Sequence, residues 1–146
     1  MTAEKIREFS SYNLILEDIQ RFYPEFRHWY SSKVIPGLVN GSREILTEYR
    51  DERLIGIAIV KNTQEEKKIC TIKVLPEYQN KGIGIKLFKR SLSLLNTNKP
   101  FVTVPEERFN EFHKIFTYYG FQLTQILEGY YREGKKEYIY NGTLSR

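Results

Sequence analysis

At 146 residues the chain is long enough for one domain with a real core and too short for two. A composition 40% hydrophobic and 28% charged is that of a soluble globular protein. No apolar run reaches the length of a membrane span, and Met1-Thr2-Ala3-Glu4-Lys5 is too polar to open a signal peptide, so a cytoplasmic protein without a membrane partner is expected. One cysteine, Cys70, excludes an internal disulfide, and with two distant histidines, His28 and His113, it assembles no zinc-type ligand set.

The aromatic share, 14% with eleven Tyr and nine Phe, points to a core and a pocket lined with rings. A net charge of +5 suits nucleic acid, an acidic surface or a polyanionic cofactor, but the lysines are scattered rather than clustered.

Lys5 to Phe9 reads as a short edge strand. Ile15, Ile19 and Phe22 share one face of a helix from about Tyr12 to Phe22, ended by Pro24. A second helix follows, with Phe26, Trp29, Tyr30, Lys33 and Val34 three and four apart. Pro36-Gly37 should terminate it and open a loop to Gly41.

Three strand-like runs, Glu44 to Tyr49, Leu54 to Val60 and Lys68 to Val74, are separated by short charged turns, which implies an antiparallel meander. Leu54 to Val60 is apolar on both faces and should be central, while Cys70 reads as a small core hydrophobe.

Leu87, Phe88, Leu92, Leu94 and Leu95 then stripe a helix that begins near Gly82. That helix is the right-handed crossover to a parallel strand, Pro100 to Val104. A further helix carries Phe109, Phe112, Phe116 and Tyr119 and closes at Gly120. Phe121 to Leu127 and Lys136 to Tyr140 form a hairpin with a long loop, Glu128 to Lys135. His28 and His113, each alone on a helix, read as surface residues.

The stretch from Val74 to Ile85 organises the rest. Pro76 ends the strand, and Gly82 and Gly84, lacking Cβ atoms, let a ligand approach the backbone. The N–H groups of Asn80 to Gly84 and the helix dipole favour an anion, with Lys81 and Lys86 adding positive charge. Two readings stand: a diphosphate cradle, or glycines kept for packing. A Walker loop is disfavoured because no Gly-Lys-Ser/Thr follows, and the dinucleotide fingerprint lacks its third glycine.

Gln79-Asn80-Lys81-Gly82-Ile83-Gly84, after a Val-Leu-Pro strand end, resembles the Gln/Arg-x-x-Gly-x-Gly/Ala motif of the Gcn5-related N-acetyltransferases, the GNAT superfamily. Tyr119-Gly120-Phe121 resembles the Gly-Phe that opens that family's sixth strand, and the element order matches over the whole chain. The resemblance implies one α+β (mixed α/β) GNAT domain over residues 1–146. Its mostly antiparallel mixed sheet would have six to seven strands with about four helices, splayed between the fourth and fifth strands.

It also implies an acyl-CoA-dependent N-acetyltransferase that moves an acetyl group from acetyl-CoA to a primary amine by direct attack in a ternary complex. Gln79, Asn80, Lys81, Gly82, Ile83, Gly84 and Ile85 would hold the pyrophosphate. The pantetheine arm would lie along Ile72, Lys73 and Val74, and the Leu75 N–H would serve the thioester oxygen.

Three positions depart from the family pattern. Phe116 stands where many members have a proton-donating tyrosine, Phe109 where an asparagine is common, and Lys68 where some have a basic glutamate. Tyr118 and Tyr119 are the nearest substitute donors, and Glu44 or Glu48 could act as a base through water. On the acceptor side the resemblance points to Trp29, Tyr30 and Lys33 on the second helix and to Tyr130, Tyr131 and Arg132 in the late hairpin.

The acceptor stays open between a small-molecule amine, a peptide amine and an aminoacyl-tRNA, as does monomer or homodimer. A catalytically idle coenzyme A-binding module is the rival reading. A nucleic-acid-binding domain without activity would rest on charge alone.

Overall fold

Six consecutive buried residues, Ile55 to Val60, place their strand in the middle of the molecule with a covered face on each side. The computed structural model describes Ile15, residues 17–21 and residues 23–145; the strand expected at Lys5 to Phe9, and Phe22, lie outside the described residues.

Among the described residues there are six strands: β1 (Arg43–Arg50), β2 (Arg53–Asn62), β3 (Lys67–Val74), β4 (Phe101–Pro105), β5 (Leu123–Glu128) and β6 (Lys136–Tyr140). They form one sheet in the order β1-β2-β3-β4-β6-β5. Every pairing is antiparallel except β3 with β4. The meander, the crossover and the terminal hairpin thus fall where hydrophobic alternation and turn residues put them.

Three helices cover the sheet. The first, α1, is α-helical over Phe26–Trp29, widens to a π-turn over Tyr30–Val34 and is α-helical again over Ile35–Asn40. This corrects the expected stop at Pro36-Gly37. Pro36 lacks an N–H and clashes with the carbonyl four residues back, and the wider turn just before it lets the helix continue. The left-handed cap is Gly41, with φ at 84°. Gly37 serves packing instead, since a Cβ there would lie 2.7 Å from the Arg43 side chain.

α2 spans Ile83–Leu95 and α3 spans Phe109–Tyr118. The expected first helix shows in part, as a 3-10 turn over Glu17–Arg21 with Ile15 and Ile19 buried.

On one sheet face Phe88 of α2 and Phe112 and Phe116 of α3 pack with Val60, Ile69, Val102 and Tyr140. On the other, Ile15, Ile19, Phe26, Tyr30 and Val34 cover Ile57 and Ile59. Gly56 sets how closely α2 lies on β2, because a Cβ there would sit 3.0 Å from Leu87 Cδ1 and 3.2 Å from Ile83 Cγ2.

The parallel pair β3–β4 is joined only at Lys68 with Phe101 and Ile69 with Val102. Against β2 the register of β3 steps from Val60↔Ile69 to Ile59↔Thr71, so Cys70 is an extra, bulged residue. A bulge bends its strand and increases the twist. From Cys70 onward β3 stays with β2, whereas β4 follows β6 through Pro105↔Glu137, and the sheet opens as a V. This is the splay expected between the fourth and fifth strands.

Replacing Gly56 by Val should overpack the α2–β2 contact and lower stability by about 2 kcal/mol, read as a reduced urea midpoint at unchanged slope.

Candidate active site

The mouth of the V is formed by the chain leaving β3. Pro76–Tyr78 makes one 3-10 turn, Asn80 takes a left-handed φ of 62°, and Gly82, at φ 84°, is the residue before α2. Gly82 is therefore required by its backbone conformation. Gly84 is not required by packing, since a Cβ there would meet only Val74 Cγ2, at an ordinary 3.8 Å. The helical bonding of α2 starts with Lys86 N–H donating to Gly82 O at 3.0 Å, so the amides of Ile83, Gly84 and Ile85 are those that an α-helix leaves at its N-terminus.

Gln79 works through its side chain, with Nε2 donating to Val74 O at 3.1 Å and tying the loop to the strand end. Lys81 is exposed, its Nζ 5.8 Å over the Tyr78 ring. Lys86 is held 2.9 Å from Glu48, which corrects its expected place among the ligand-facing cations.

The Leu75 N–H donates to Ile55 O at 2.9 Å, so it is engaged with β2 and turned away from the gap. This corrects its expected role. Backbone direction alternates along an antiparallel ladder. Thr71 and Lys73 therefore also bond toward β2, and the N–H and C=O groups of Ile72 and Val74 face the gap.

Two cavities open on the split. The smaller, about 60 Å³, lies toward α3 among Ile72, Lys73, Val104, Arg108, Phe112 and Phe116. The larger, about 500 Å³, lies toward α1 among Phe26, Trp29, Lys68, Tyr130 and Tyr131. They share Tyr23, Cys70, Thr71 and Thr103. Cys70 is thus a half-buried wall residue at the junction rather than the plain core residue expected; burial pushes its thiol up, and Arg43 donates to its Sγ at 3.3 Å.

Behind the junction sits a carboxylate that sequence reasoning missed. Glu137 on β6 is 3% exposed, and Tyr23 Oη donates to its Oε1 at 2.8 Å. Burial pushes the Glu137 carboxyl up to about 7, against hydrogen bonds from Tyr23 and Thr103 and the charge of Arg132. Tyr23 is itself raised well above the ordinary phenol range by burial and by the Glu137 charge, and burial pushes Tyr131 up to about 12. Both tyrosines therefore stay protonated at neutral pH. Tyr23 and Tyr131 meet edge to face, centroids 5.2 Å apart.

Of the acceptor-side candidates, Trp29, Tyr130 and Tyr131 line the larger cavity. Tyr30 is buried in the core and Lys33 is exposed on α1, so neither joins them. Arg132 forks onto Glu107 at 2.7 and 2.6 Å and so fastens the hairpin loop to the turn after β4.

Tyr118 is 85% exposed and Tyr119 packs edge-on against Phe88, so neither substitute donor reaches the split; helical spacing turns both away from the Phe112–Phe116 stripe. Phe116 lines the smaller cavity, and Phe109 stacks on Tyr138 with centroids 4.0 Å apart. Lys68 lines the larger cavity with Nζ 5.3 Å over the Phe101 ring.

Glu44 is exposed. Burial pushes the Glu48 carboxyl up, but its hydrogen bonds and charge contacts with Lys86 and Arg90 outweigh this and hold it below the usual range, so it is no base. His28 is exposed as expected, whereas His113 Nδ1 meets Tyr140 Oη at 2.7 Å, a correction to its surface reading. The one signal that could have found Glu137 is its parity: it shares a strand face with Ile139, which is fully buried.

A split sheet with an open strand edge, a glycine-preceded helix end at its mouth and an aromatic cavity across it defines a two-ligand cleft, one side for an extended ligand with an anionic end. The acetyltransferase (GNAT) domain matches residues 15–134, and the chain belongs to the GNAT acetyltransferase family. Among solved structures it is similar to a GNAT-family protein from Desulfovibrio desulfuricans (TM-score 0.68, 19% identity, 92% of this chain and 90% of that one). It is also similar to the ribosomal-protein-S18-alanine N-acetyltransferase of Escherichia coli (0.62, 16%, 78% and 79%). A third is the PaiA N-acetyltransferase of Thermoplasma acidophilum in complex with coenzyme A (0.59, 17%, 82% and 76%). At these identities the likeness is one of fold. No curated protein matches the sequence. Among the described residues no helix is long and apolar enough to cross a membrane.

A carboxyl raised from 4.5 in the unfolded chain to about 7 in the fold keeps its proton longer when folded. Its stabilising contribution is complete below about pH 4.5 and is lost as pH rises through about 7, on the order of 3 kcal/mol in all. Thermal melts of wild type and Glu137→Gln should converge at low pH and diverge from pH 5 to 8, with the wild type losing stability relative to the variant.

Proposed function

We propose that the protein transfers the acetyl group of acetyl-coenzyme A to a primary amine, by direct attack within a ternary complex. The observation that carries this reading is the parting of β3 from β4 after Ile69, with the N-terminal end of α2 at its mouth. Family membership supports the cosubstrate, and solved relatives in complex with coenzyme A or acetyl-CoA support it further.

In this reading the amides of Gly82 to Ile85 and the dipole of α2 hold the pyrophosphate, with Lys81 beside them. The outward backbone of Ile72 and Val74 pairs with the pantetheine arm as an added strand would. The thioester oxygen falls to the Val74 N–H, because the Leu75 N–H is spent on β2. Trp29, Tyr130 and Tyr131 wall the acceptor side.

The bound cosubstrate supplies an activated acyl carbon. The amine nitrogen bonds to that carbon as the carbon–sulfur bond breaks, and the cleft contributes by holding the two ligands on either side of one gap. Phe116 contributes only a wall, having no proton to give.

Calorimetric titration with acetyl-CoA tests the cradle. Wild type should bind in the micromolar range, and Gly84→Glu should bind at least tenfold more weakly at an unchanged or higher melting temperature, since the new side chain has room but sets a negative charge where the diphosphate lies. A folded wild-type protein that takes up no acetyl-CoA overturns the reading. Binding without acetylation of any amine in a broad panel would favour the idle module.

A further inference from the structure

The inference concerns how the acceptor amine is made nucleophilic, and it rests on the acetyltransferase reading. A carboxylate in the position of Glu137 carries a large desolvation cost, and it adds nothing to the core that an apolar residue would not. Its one printed side-chain hydrogen bond runs from Tyr23 Oη, 2.8 Å away, and Tyr23 is one of four residues lining both cavities. The Tyr23 hydroxyl thus stands between a buried carboxylate and the place where the two ligands meet.

We propose that Tyr23 and Glu137 form the proton path of the acceptor site, in which a cationic primary amine gives a proton to Tyr23 Oη as Tyr23 passes its own to Glu137. The balance closes. The ammonium loses one proton to the pair and attacks as a free amine; the carbon–sulfur bond breaks; the second nitrogen proton goes to the departing thiolate; Glu137 returns its proton to solvent after release. The aromatic walls of Trp29, Tyr130 and Tyr131 suit the same cation, whose charge is attracted to ring faces and to the carboxylate behind them.

The groups facing Glu137 come from every element around it. Tyr23 precedes α1, Thr103 lies on β4, Glu107 is in the turn after β4, and Tyr131 and Arg132 are in the hairpin loop. Tyr23, Thr103 and Arg132 favour the ionised carboxylate, Glu107 opposes it, and burial outweighs them, which sets the carboxyl at about 7. A group poised there can both take and release a proton at neutral pH.

The test measures kcat/KM from pH 5.5 to 9 for acetylation of 2-phenylethylamine, spermidine and an alanyl peptide by wild type, Glu137→Gln and Tyr23→Phe. Acetyl-CoA binding is measured calorimetrically on each. Wild type should gain activity with one limb near pH 7. Each variant should lose at least 100-fold and lose that limb, while binding acetyl-CoA within about twofold of wild type.

A Glu137→Gln protein that keeps the wild-type rate and pH limb overturns the path while leaving the acetyltransferase reading intact. Failure of wild type to bind acetyl-CoA overturns that reading instead. A carbon-13 titration of the Glu137 carboxyl needs no acceptor: a midpoint near 7 that rises in Tyr23→Phe supports the path, and a midpoint below 5 overturns it.

Discussion

The arrangement depends on one extra residue in one strand. Cys70 is bulged against β2, and at the same point β3 stops pairing with its parallel neighbour. A continuous β3–β4 ladder would consume the backbone groups of Ile72 and Val74, and no edge would remain for a ligand. Both cavities lie on the opening, and both include Cys70 in their walls. The gap stays open because each half of the sheet is fixed elsewhere. β2 and β3 are clamped by α2 through Gly56, while β4 is bound to β6 and covered by α3.

An open split in a sheet exposes polar backbone and invites water, so its surroundings decide what it can do. Here rings dominate: Phe112 and Phe116 toward α3, and Tyr23, Trp29 and Tyr131 toward α1. Charges at the rim are mostly neutralised in pairs, Arg132 by Glu107 and Lys86 by Glu48. Glu137 is the exception, a carboxyl kept near neutrality by burial rather than lowered by an ion pair. The contrast with Glu48, at the cost of burial but overcome by two cations, shows how neighbours decide which carboxylate can exchange a proton at pH 7.

Much of the fold was readable because it follows from local rules. Period-two alternation located all six described strands to within two residues at each end, the three- and four-residue stripes located α2 and α3, and Gly120 closes α3 with a positive φ of 80°. The Gln79–Ile85 loop was readable for the same reason, since a proline, a turn and a glycine-preceded helix start all lie within ten residues. Pro36 misled, because a π-turn, which the pattern does not announce, absorbed what is ordinarily a helix stop.

The sequence by itself therefore determined the sheet, the crossover and the anion-facing helix end, all products of neighbours within a few positions in the chain. Tertiary structure alone decided which side chains share the split. Tyr23 and Glu137 are 114 residues apart and meet only when β6 docks against β4 beneath the segment before α1. Tyr118 and Tyr119, close in sequence to the expected donor position, were turned to solvent and to Phe88 by the helix they ride on. Backbone direction likewise passed the strand-end amide from Leu75 to Val74, since which face of a ladder an N–H serves depends on where its partner strand lies.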